Sequence, residues 1–203
     1  PYMKYLGYQK IQIAVISHMD VDHYSGIMEL LEMGKIKYLG LPEIPKDEAM
    51  KKIIGIAKKR GTTIFYLSRG RQITTKDGSF KVLHPQKNSQ MEKNAASLVM
   101  QGKILGYRVL LTGDVEKEGE EELLSEELER TDILKAAHHG SKNSTSNEFL
   151  QKVQPKHTVI SCGKQNRYGH PHSETIHRLQ TYHTKIYRTD QSGAIIFFKR
   201  RDG

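Results

Sequence analysis

The sequence of 203 residues contains one cysteine, Cys162. A single cysteine excludes an intramolecular disulfide and a cysteine-built zinc site, so any metal ion must be held by histidine and carboxylate side chains. Long hydrophobic runs are also absent, because the longest, Ala194 to Phe198, is far shorter than the ~20 residues of a membrane-spanning helix. We therefore expect a domain without a membrane span.

An initiator methionine and a secretory signal sequence are missing as well, since the chain begins Pro1-Tyr2-Met3. This beginning predicts a fragment of a longer protein. The composition, 36% hydrophobic and 27% charged, excludes a disordered chain and is sufficient for one sizeable core. We predict a single domain over residues 1–203.

Positive charge exceeds negative charge, with 32 Lys and Arg against 23 Asp and Glu and a net charge of +9. Such a charge favours polyanionic partners such as nucleic acid. The exception is the segment from Glu116 to Arg130, in which eight glutamates oppose one lysine and one arginine. We interpret that segment as a helix with a solvated acidic face.

Short β-branched runs alternate with longer segments of helical periodicity, which predicts an α/β fold. The turn sequences Asp77-Gly78 and Leu105-Gly106 indicate hairpins, so part of the sheet is expected to be antiparallel. The predicted strands are 11–17, 36–41, 62–67, 80–83, 97–101, 107–112, 132–137, 157–162, 185–187 and 194–199. The predicted helices are 25–33, 47–59, 116–130, 146–153 and 173–182.

Histidine and aspartate concentrate directly after apolar strands. The clusters lie in SHMDVDH (17–23), LLTGD (110–114), DILKAAHHG (132–140) and NRYGHPH (166–172). Because the ends of neighbouring strands meet at one edge of an α/β sheet, we expect these clusters to form one polynuclear metal site there. Adjacent side chains on a strand point to opposite sides, so only one of His138 and His139 is expected to be a ligand.

These motifs, together with NAASLV (94–99), HHGSKNS (138–144) and VIS (159–161), resemble the metallo-β-lactamase superfamily. More narrowly, they resemble the C-terminal domain of the ComEC family of DNA-uptake (competence) proteins. The resemblance extends from about Pro1 to Phe198. It implies an αββα sandwich that lacks, in this chain, its first β-hairpin with the Asp-Val-Gly-Gln-Gly-Asp segment typical of the family.

The resemblance also implies a ligand set for two divalent metal ions. His139 is preferred over His138, because it aligns with the Gly-His-Gly of typical superfamily members. Asp20 stands where most superfamily hydrolases have a second histidine, and Asn94 lies near where they place another. Oxygen ligands suit harder metals, so Mn²⁺ is favoured as highly as Zn²⁺. The implied metal ligands are His18, Asp20, Asp22, His23, Asp114 and one of His138 and His139.

Two metal ions bridged by Asp114 suit hydrolysis of a phosphodiester. Asp22 is expected to bind metal or to orient the attacking water, and His170 or His172 to protonate the leaving oxygen. The residues expected to bind substrate are Asn94, Ser141, Lys142, Asn143, Asn166 and Arg167.

Helix starts are expected to add an anion site near this edge. Thr145 and Glu148 have the spacing of a capping box, which predicts a helix from about Ser146 whose free N–H groups point back toward 138–142. Ser173 is predicted to cap the next helix.

We predict a metal-dependent nuclease or phosphodiesterase that acts on DNA. Two alternatives remain open: another hydrolase of the superfamily that acts on a small ester or lactone, and a non-catalytic DNA-guiding domain. The resemblance further implies a soluble domain tethered to a membrane channel domain at the cell membrane, with the extracytoplasmic face as one option.

Overall fold

The strands of the described residues form two sheets that lie against each other. The structure is a computed structural model, which describes residues 7–92 and 94–198. Its strands are β1 (Ile11–Val15), β2 (Ile36–Pro42), β3 (Thr63–Leu67), β4 (Gln72–Thr75), β5 (Gly78–His84), β6 (Val99–Ile104), β7 (Tyr107–Leu111), β8 (Ile133–Lys135), β9 (His157–Ile160) and β10 (Lys185–Arg188). Its helices are α1 (Val21–Glu32), α2 (Glu48–Lys59), α3 (Lys117–Leu124), α4 (Asn147–Val153), α5 (Ser173–Thr181) and α6 (Thr189–Ser192), with a short turn at Ala137–Gly140.

The two sheets differ in strand direction. The smaller is parallel throughout, in the order β1-β2-β3, with α1 and α2 as the crossovers. The larger has the order β10-β9-β8-β7-β6-β5-β4, in which β7 to β10 are parallel and β4 to β7 are antiparallel. The predicted α/β fold with a partly antiparallel sheet is therefore confirmed.

Three buried layers hold this arrangement together. One lies between the smaller sheet and α1 and α2, one between the two sheets, and one between the larger sheet and α3, α4 and α5. Burial of apolar area in each layer is the main stabilising contribution. The buried residues include Leu31, Leu39 and Met50 in the first layer, Leu67, Val82 and Leu98 in the second, and Leu134, Phe149 and Leu179 in the third. These layers are the predicted αββα sandwich, whereas the missing first hairpin and the single domain over 1–203 stay predictions.

The start of α1 differs from the prediction. The helix begins at Val21, four residues before the predicted start at residue 25. Asp20 precedes it with an extended backbone, and its carbonyl accepts hydrogen bonds from the amides of His23 and Tyr24. Asp22 and His23 therefore lie on the first turn of a helix.

The edges of the larger sheet also differ from the prediction. β4 is not predicted from its short and polar sequence, and its pairing with β5 defines it. Residues 194–198 form no strand, whereas Lys199 lies outside the described residues. Instead, the ring of Phe197 packs against the rings of His157 and Tyr187.

The interpretation of the acidic segment as a solvated helix face holds for Glu118 and Glu121 of α3, which are exposed, and is wrong for Glu120 and Glu122. The helix ends at Leu124, and Glu120 on it is only 2% exposed. Its carboxylate accepts hydrogen bonds from the amides of Thr145 and Ser146. Glu122 pairs with Arg69 at 2.8 Å. These two carboxylates bind groups of the fold rather than water.

Candidate metal centre

The predicted strand-end motifs converge at one edge of the sandwich. His18 follows β1, Asp22 and His23 lie on the first turn of α1, and Asp114 follows β7. His139 follows β8, which is the parallel neighbour of β7. The topology thus brings together residues that are up to 121 positions apart in the sequence.

Gly113 allows Asp114 to reach this edge. Its backbone has φ +54°, and a Cβ at this position would lie 2.9 Å from the Cβ of Ser97 and 3.1 Å from that of Ser17. The amide of Asp114 donates to the Ser97 hydroxyl. A glycine is therefore required both by the left-handed conformation and by the close approach of two other chain segments.

His138 and His139 leave β8 in a left-handed turn. Their φ angles are 45° and 53°, and that of Gly140 is 83°. A non-glycine residue in this region is uncommon, and such strain concentrates at functional sites. Because the chain has left the strand here, the alternation of side chains along a strand does not decide which histidine faces the centre.

The side chains of four residues meet at the centre. The Oδ2 atom of Asp114 lies 3.2 Å from Nε2 of His23 and 3.1 Å from Nε2 of His139. The two histidine Nε2 atoms are 3.2 Å apart, and Oδ2 of Asp22 lies 3.2 Å from that of His139. Nitrogen and carboxylate oxygen atoms at such distances can converge on a shared cation.

Hydrogen bonds orient the histidine rings. The hydroxyl of Ser17 lies 3.2 Å from Nδ1 of His18 and 3.0 Å from Nδ1 of His23. Nδ1 of His139 donates to the carbonyl of Ser161 at 2.6 Å. Each ring is thus held through Nδ1, which leaves Nε2 directed inward, as is common for metal-binding histidines.

The electrostatics keep Asp114 ionised. Burial acts to raise the pKa of its carboxyl group, but hydrogen bonds with His139 and His23 and the charge of Lys135 hold that pKa well below its usual range. The ammonium of Lys135 lies 3.3 Å from Oδ1 of Asp114. Burial lowers the pKa of Lys135, which its carboxylate partner opposes. Asp114 is therefore available as an anionic ligand at neutral pH.

Two buried polar atoms indicate whether this centre fits a metal ion. Over residues 7–92 and 94–198, neither Nε2 of His18 nor Oδ1 of Asn94 has a hydrogen-bond partner. Burial, and to a smaller extent the charge of the neighbouring His23, lowers the pKa of His18 to about 4. A neutral imidazole with a free buried nitrogen and an amide oxygen without a donor are both groups that a divalent cation satisfies.

The ligand geometry agrees with this test. His18, His23 and Asp114 can each offer one ligand atom within 4.8 Å of one another, and so can Asp22, His23 and His139. Asp20 approaches the first group, with its carboxylate 3.6 Å from Nε2 of His18. The two groups share His23, so they describe adjoining parts of one centre. The residues present fit divalent metal ions.

The two adjacent histidines have different surroundings. Nε2 of His139 faces Asp22 and Asp114, whereas Nδ1 of His138 lies 2.9 Å from the carboxylate of Glu116. The structure thus places His139 beside Asp22 and Asp114 and His138 beside Glu116, and the choice of His139 as the ligand stays a prediction.

The two candidate proton donors also separate. His170 lines a cavity of about 620 Å³ that contains Asp22, Asp114 and His139. His172 precedes α5, and its Nδ1 accepts a hydrogen bond from the amide of Lys142. The structure thus places His170 at the cavity and gives His172 a partner in the backbone.

The expected substrate-binding residues do not all lie at one cavity. Lys142 and Asn143 line a larger groove of about 1430 Å³ beside the centre, Asn166 lines the smaller cavity, and Asn94 and Asp20 line both. Ser141 is buried, and its hydroxyl accepts from the amide of Asn143. The guanidinium of Arg167 lies over the exposed ring of Tyr168, 4.8 Å from its centroid.

The expected anion site at the start of α4 is already filled by a protein group. Ser146 caps this helix by accepting from the amide of Phe149, so the Thr145–Glu148 capping box is wrong. The amides of Thr145 and Ser146, at the start of this helix, donate to Glu120. The prediction that Ser173 caps α5 is also wrong, because His172 occupies that position and the Ser173 hydroxyl donates to Glu174.

Sequence reasoning misses Lys135, Ser17 and Ser161. A lysine in the apolar strand sequence Ile-Leu-Lys-Ala-Ala is the one available signal, since a buried charge requires a partner. The two serines act through a hydroxyl and a backbone carbonyl, for which no residue pattern is diagnostic.

Comparison with known proteins gives the family. The model of the metallo-β-lactamase superfamily matches residues 3–164. The chain is 39% identical over 209 residues to ComE operon protein 3 of Bacillus subtilis (strain 168), covering 100% of this chain and 26% of that protein. It is 30% identical over 210 residues to competence protein ComA of Neisseria gonorrhoeae, covering 100% of this chain and 27% of that protein. The chain thus spans about a quarter of the length of the curated relatives it matches, and these matches confirm the resemblance drawn from its motifs.

Solved structures agree on the fold. The metallo-β-lactamase fold protein YhfI from Bacillus subtilis superposes with a TM-score of 0.59 at 14% identity, over 92% of this chain and 78% of that chain. CmlA, a diiron β-hydroxylase from Streptomyces venezuelae, superposes with a TM-score of 0.58 at 10% identity, over 89% of this chain and 44% of that chain. Sequence, centre and fold lead to one conclusion: the chain belongs to the metallo-β-lactamase superfamily.

Proposed function

We propose that this domain is a metal-dependent phosphodiesterase that hydrolyses DNA. Members of the superfamily are generally metal-dependent hydrolases. The observation that carries the proposal is that Asp22, His23, Asp114 and His139 converge through contacts of 3.1–3.2 Å. Three of them, Asp22, Asp114 and His139, line an open cavity. Because the cavity is open, an anionic substrate can reach the residues that would bind the metal ions.

One divalent ion would be held by His18, His23 and Asp114, with Asp20 and Asn94 beside it. A neighbouring ion would have ligands from Asp22, His23 and His139. When bound, such ions lower the pKa of water and neutralise charge on a phosphoryl oxygen. We propose two ions, with Mn²⁺ favoured as highly as Zn²⁺ because aspartate and asparagine oxygens replace imidazoles.

The chain's own residues would position the substrate and the proton. The carboxylate of Asp22 is 63% exposed and faces the cavity side of His139, where it can orient an attacking water by accepting its proton in a hydrogen bond. His170 lies on the same cavity wall, where its ring N–H can donate to the leaving oxygen. Lys135 holds the second oxygen of Asp114 and so fixes the direction in which that carboxylate presents the first.

DNA is supported as the substrate by two features. The chain has a net charge of +9, which attracts a polyanion. Its relatives include a ComE operon protein and a competence protein by name, and competence is the uptake of DNA. Since the chain spans about a quarter of these relatives, we further propose that the domain is tethered to a membrane channel domain. No helix among the described residues has the length and apolar content to span a bilayer.

Degradation of linear DNA by the purified chain tests the proposal. The measurement compares the wild type with Asp22→Asn and Asp114→Asn in Mn²⁺, Zn²⁺ and Mg²⁺, with metal content determined by elemental analysis. Asp77→Asn, in the exposed β4–β5 turn, is the matched control. We expect cleavage by the wild type and the control and its loss in both other variants. Intact DNA in the presence of wild-type protein that binds two ions would overturn the proposal.

A further inference from the structure

Tyr168 lies at the rim of the smaller cavity with 60% of its side chain exposed. Eight large apolar side chains are exposed in the part of the chain that the structure describes, and of these Tyr168 alone lines either of the two cavities at the centre. An exposed aromatic ring at the mouth of a site is a candidate contact for substrate, whereas scattered surface tyrosines need no explanation.

Three rings form a row from the solvent to the centre. The ring of Tyr168 is stacked with that of His170, with centroids 5.8 Å apart and an interplanar angle of 24°. The ring of His170 is stacked in turn with that of His139, at 6.2 Å and 20°. A flat group that extends this row at Tyr168 would stand at its outer end, two rings from His139, and could belong to the same strand as a phosphate held at the centre.

The loop that carries Tyr168 is held in place. The side chain of Asn166 accepts from the amide of His170 at 2.9 Å and donates to the carbonyls of His170 and Gly163. The guanidinium of Arg167 lies over the Tyr168 ring and donates to its hydroxyl. The tyrosine is thus presented together with a cation that lies over its ring. An aromatic ring suits a nucleobase, and a cation suits its phosphate.

The larger groove beside the centre does not suit nucleic acid. Counted over residues 7–92 and 94–198, seven carboxylates and three cationic side chains line the larger groove. One of the seven, Glu120, is buried against the start of α4, and the others include Glu92, Glu118 and Glu148. A phosphate backbone is repelled by such a surface, which disfavours a path of the strand along this groove.

We propose that Tyr168, supported by His170 and Arg167, is a stacking platform for an unpaired nucleobase of a strand whose phosphate is held at the centre. The substrate class is accordingly single-stranded DNA, because the faces of paired bases in a duplex are covered by their neighbours. This inference rests on the proposed hydrolysis of DNA and names the form of DNA that the site takes.

Binding of a hydrolysis-resistant oligonucleotide tests the platform. Fluorescence anisotropy measures the affinity of the Mn²⁺-loaded protein for a labelled 12-nucleotide phosphorothioate oligothymidylate and for an abasic oligomer with the same backbone. The variants are Tyr168→Ala and Tyr168→Phe. Tyr38→Ala is the matched control, since Tyr38 is also exposed with a cation over its ring, that of Lys37, but lies outside both cavities.

Loss of one stacked base weakens binding about 5- to 100-fold. We expect a loss of that size for Tyr168→Ala with oligothymidylate, little change with the abasic oligomer, and near wild-type binding for Tyr168→Phe and Tyr38→Ala. Unchanged binding by Tyr168→Ala, or an equal loss with both oligomers, would overturn the platform even if the protein cleaves DNA. Base-dependent binding by a protein that cleaves no DNA would instead support the platform and contradict the proposed hydrolysis.

Discussion

The ammonium of Lys135 contacts one oxygen of Asp114, while the other oxygen faces His23 and His139. The first contact is 3.3 Å, and the other two are 3.2 and 3.1 Å. Lys135 also donates to the carbonyl of Gly113 at 2.7 Å. One half-buried lysine therefore fixes both the turn that presents the carboxylate and the orientation of that carboxylate.

Removal of this lysine is expected to destabilise the metal-free protein. Lys135→Met leaves a buried carboxylate without its cation, and breaking a buried ion pair costs about 3–5 kcal/mol. The free energy of unfolding, measured with urea in the presence of a chelator, gives the cost for Lys135→Met, for Asp114→Asn and for the double variant.

The double variant, Lys135→Met with Asp114→Asn, shows whether the two side chains interact or contribute to stability independently. Because neither charge remains unpaired in it, its cost should be smaller than the sum of the two single costs by about 1–3 kcal/mol. Strictly additive costs would show that Lys135 and Asp114 do not interact.

Gly113→Ala is expected to disturb the centre by changing the turn that precedes Asp114. The added Cβ would meet Ser97 and Ser17 in a left-handed residue, and such crowding and strain together cost about 2–4 kcal/mol. Asp114 would move with the turn, so the bound metal measured by elemental analysis should fall as well.

Gly106→Ala is the matched control for this substitution. Gly106 has φ +88° in the β6–β7 turn, but, its two chain neighbours aside, no atom of the described residues lies within 4 Å of the position that an added Cβ would occupy. It should lose about 1 kcal/mol through backbone strain alone and keep its metal content. Equal effects at the two glycines would contradict the close approach at Gly113.

Glu120→Ala is expected to loosen the loop after His139. The variant leaves the amides of Thr145 and Ser146 without their acceptor, and each buried unpaired donor costs about 1–3 kcal/mol. Hydrogen exchange of these two amides should become faster, and the thermal midpoint should fall. Glu121→Ala, an exposed position on the same helix, should leave both unchanged.

The burial of His84 predicts that the free energy of unfolding decreases at acidic pH. Burial lowers the pKa of His84, whose Nε2 donates to the carbonyl of Ala95 at 2.7 Å and whose Nδ1 lies 3.3 Å from Glu122. The unfolded chain therefore binds a proton near pH 6.5 that the folded chain binds only at lower pH. The stability is present above pH 6.5 and is lost as the pH falls below it, by up to about 1.4 kcal/mol per pH unit for one histidine.

Urea unfolding of the metal-free protein at pH 7.5, 6.5 and 5.5 measures this dependence. The slope should be shallower in His84→Gln, which keeps an amide donor toward Ala95, than in the wild type. The slope that remains combines His18 and His170, whose pKa values are lowered by burial, with His139, whose pKa is raised by its hydrogen bond with Asp114 and which acts in the opposite direction. An identical slope in the two proteins would contradict the origin assigned to it.

The sequence predicts the fold and the strand-end motifs because both are local patterns combined with one topological rule. Alternating apolar runs specify the strands, and parallel strands bring Asp114 and His139 to one edge. Partners across the structure are not predictable in this way. Glu120 is 25 residues from Thr145, and its acidic neighbours have the pattern of a solvated helix until the fold places α3 against the start of α4.

The turn at His138 and His139 shows the same limit at short range. An adjacent pair after a strand suggests alternate sides, but three successive left-handed residues change the direction of both side chains. Such a conformation depends on the surrounding contacts, including the hydrogen bond from the amide of His138 to the carbonyl of Gly113. Sequence periodicity contains no signal for it.

The rate of DNA cleavage as Mn²⁺ is titrated into metal-free protein tests the central claim most directly. We expect that single-stranded DNA is cleaved, that the rate saturates once two ions are bound per chain, and that Asp114→Asn abolishes it. A wild-type protein that binds two ions and leaves the DNA intact, or cleavage that survives in Asp114→Asn, would contradict the proposed function.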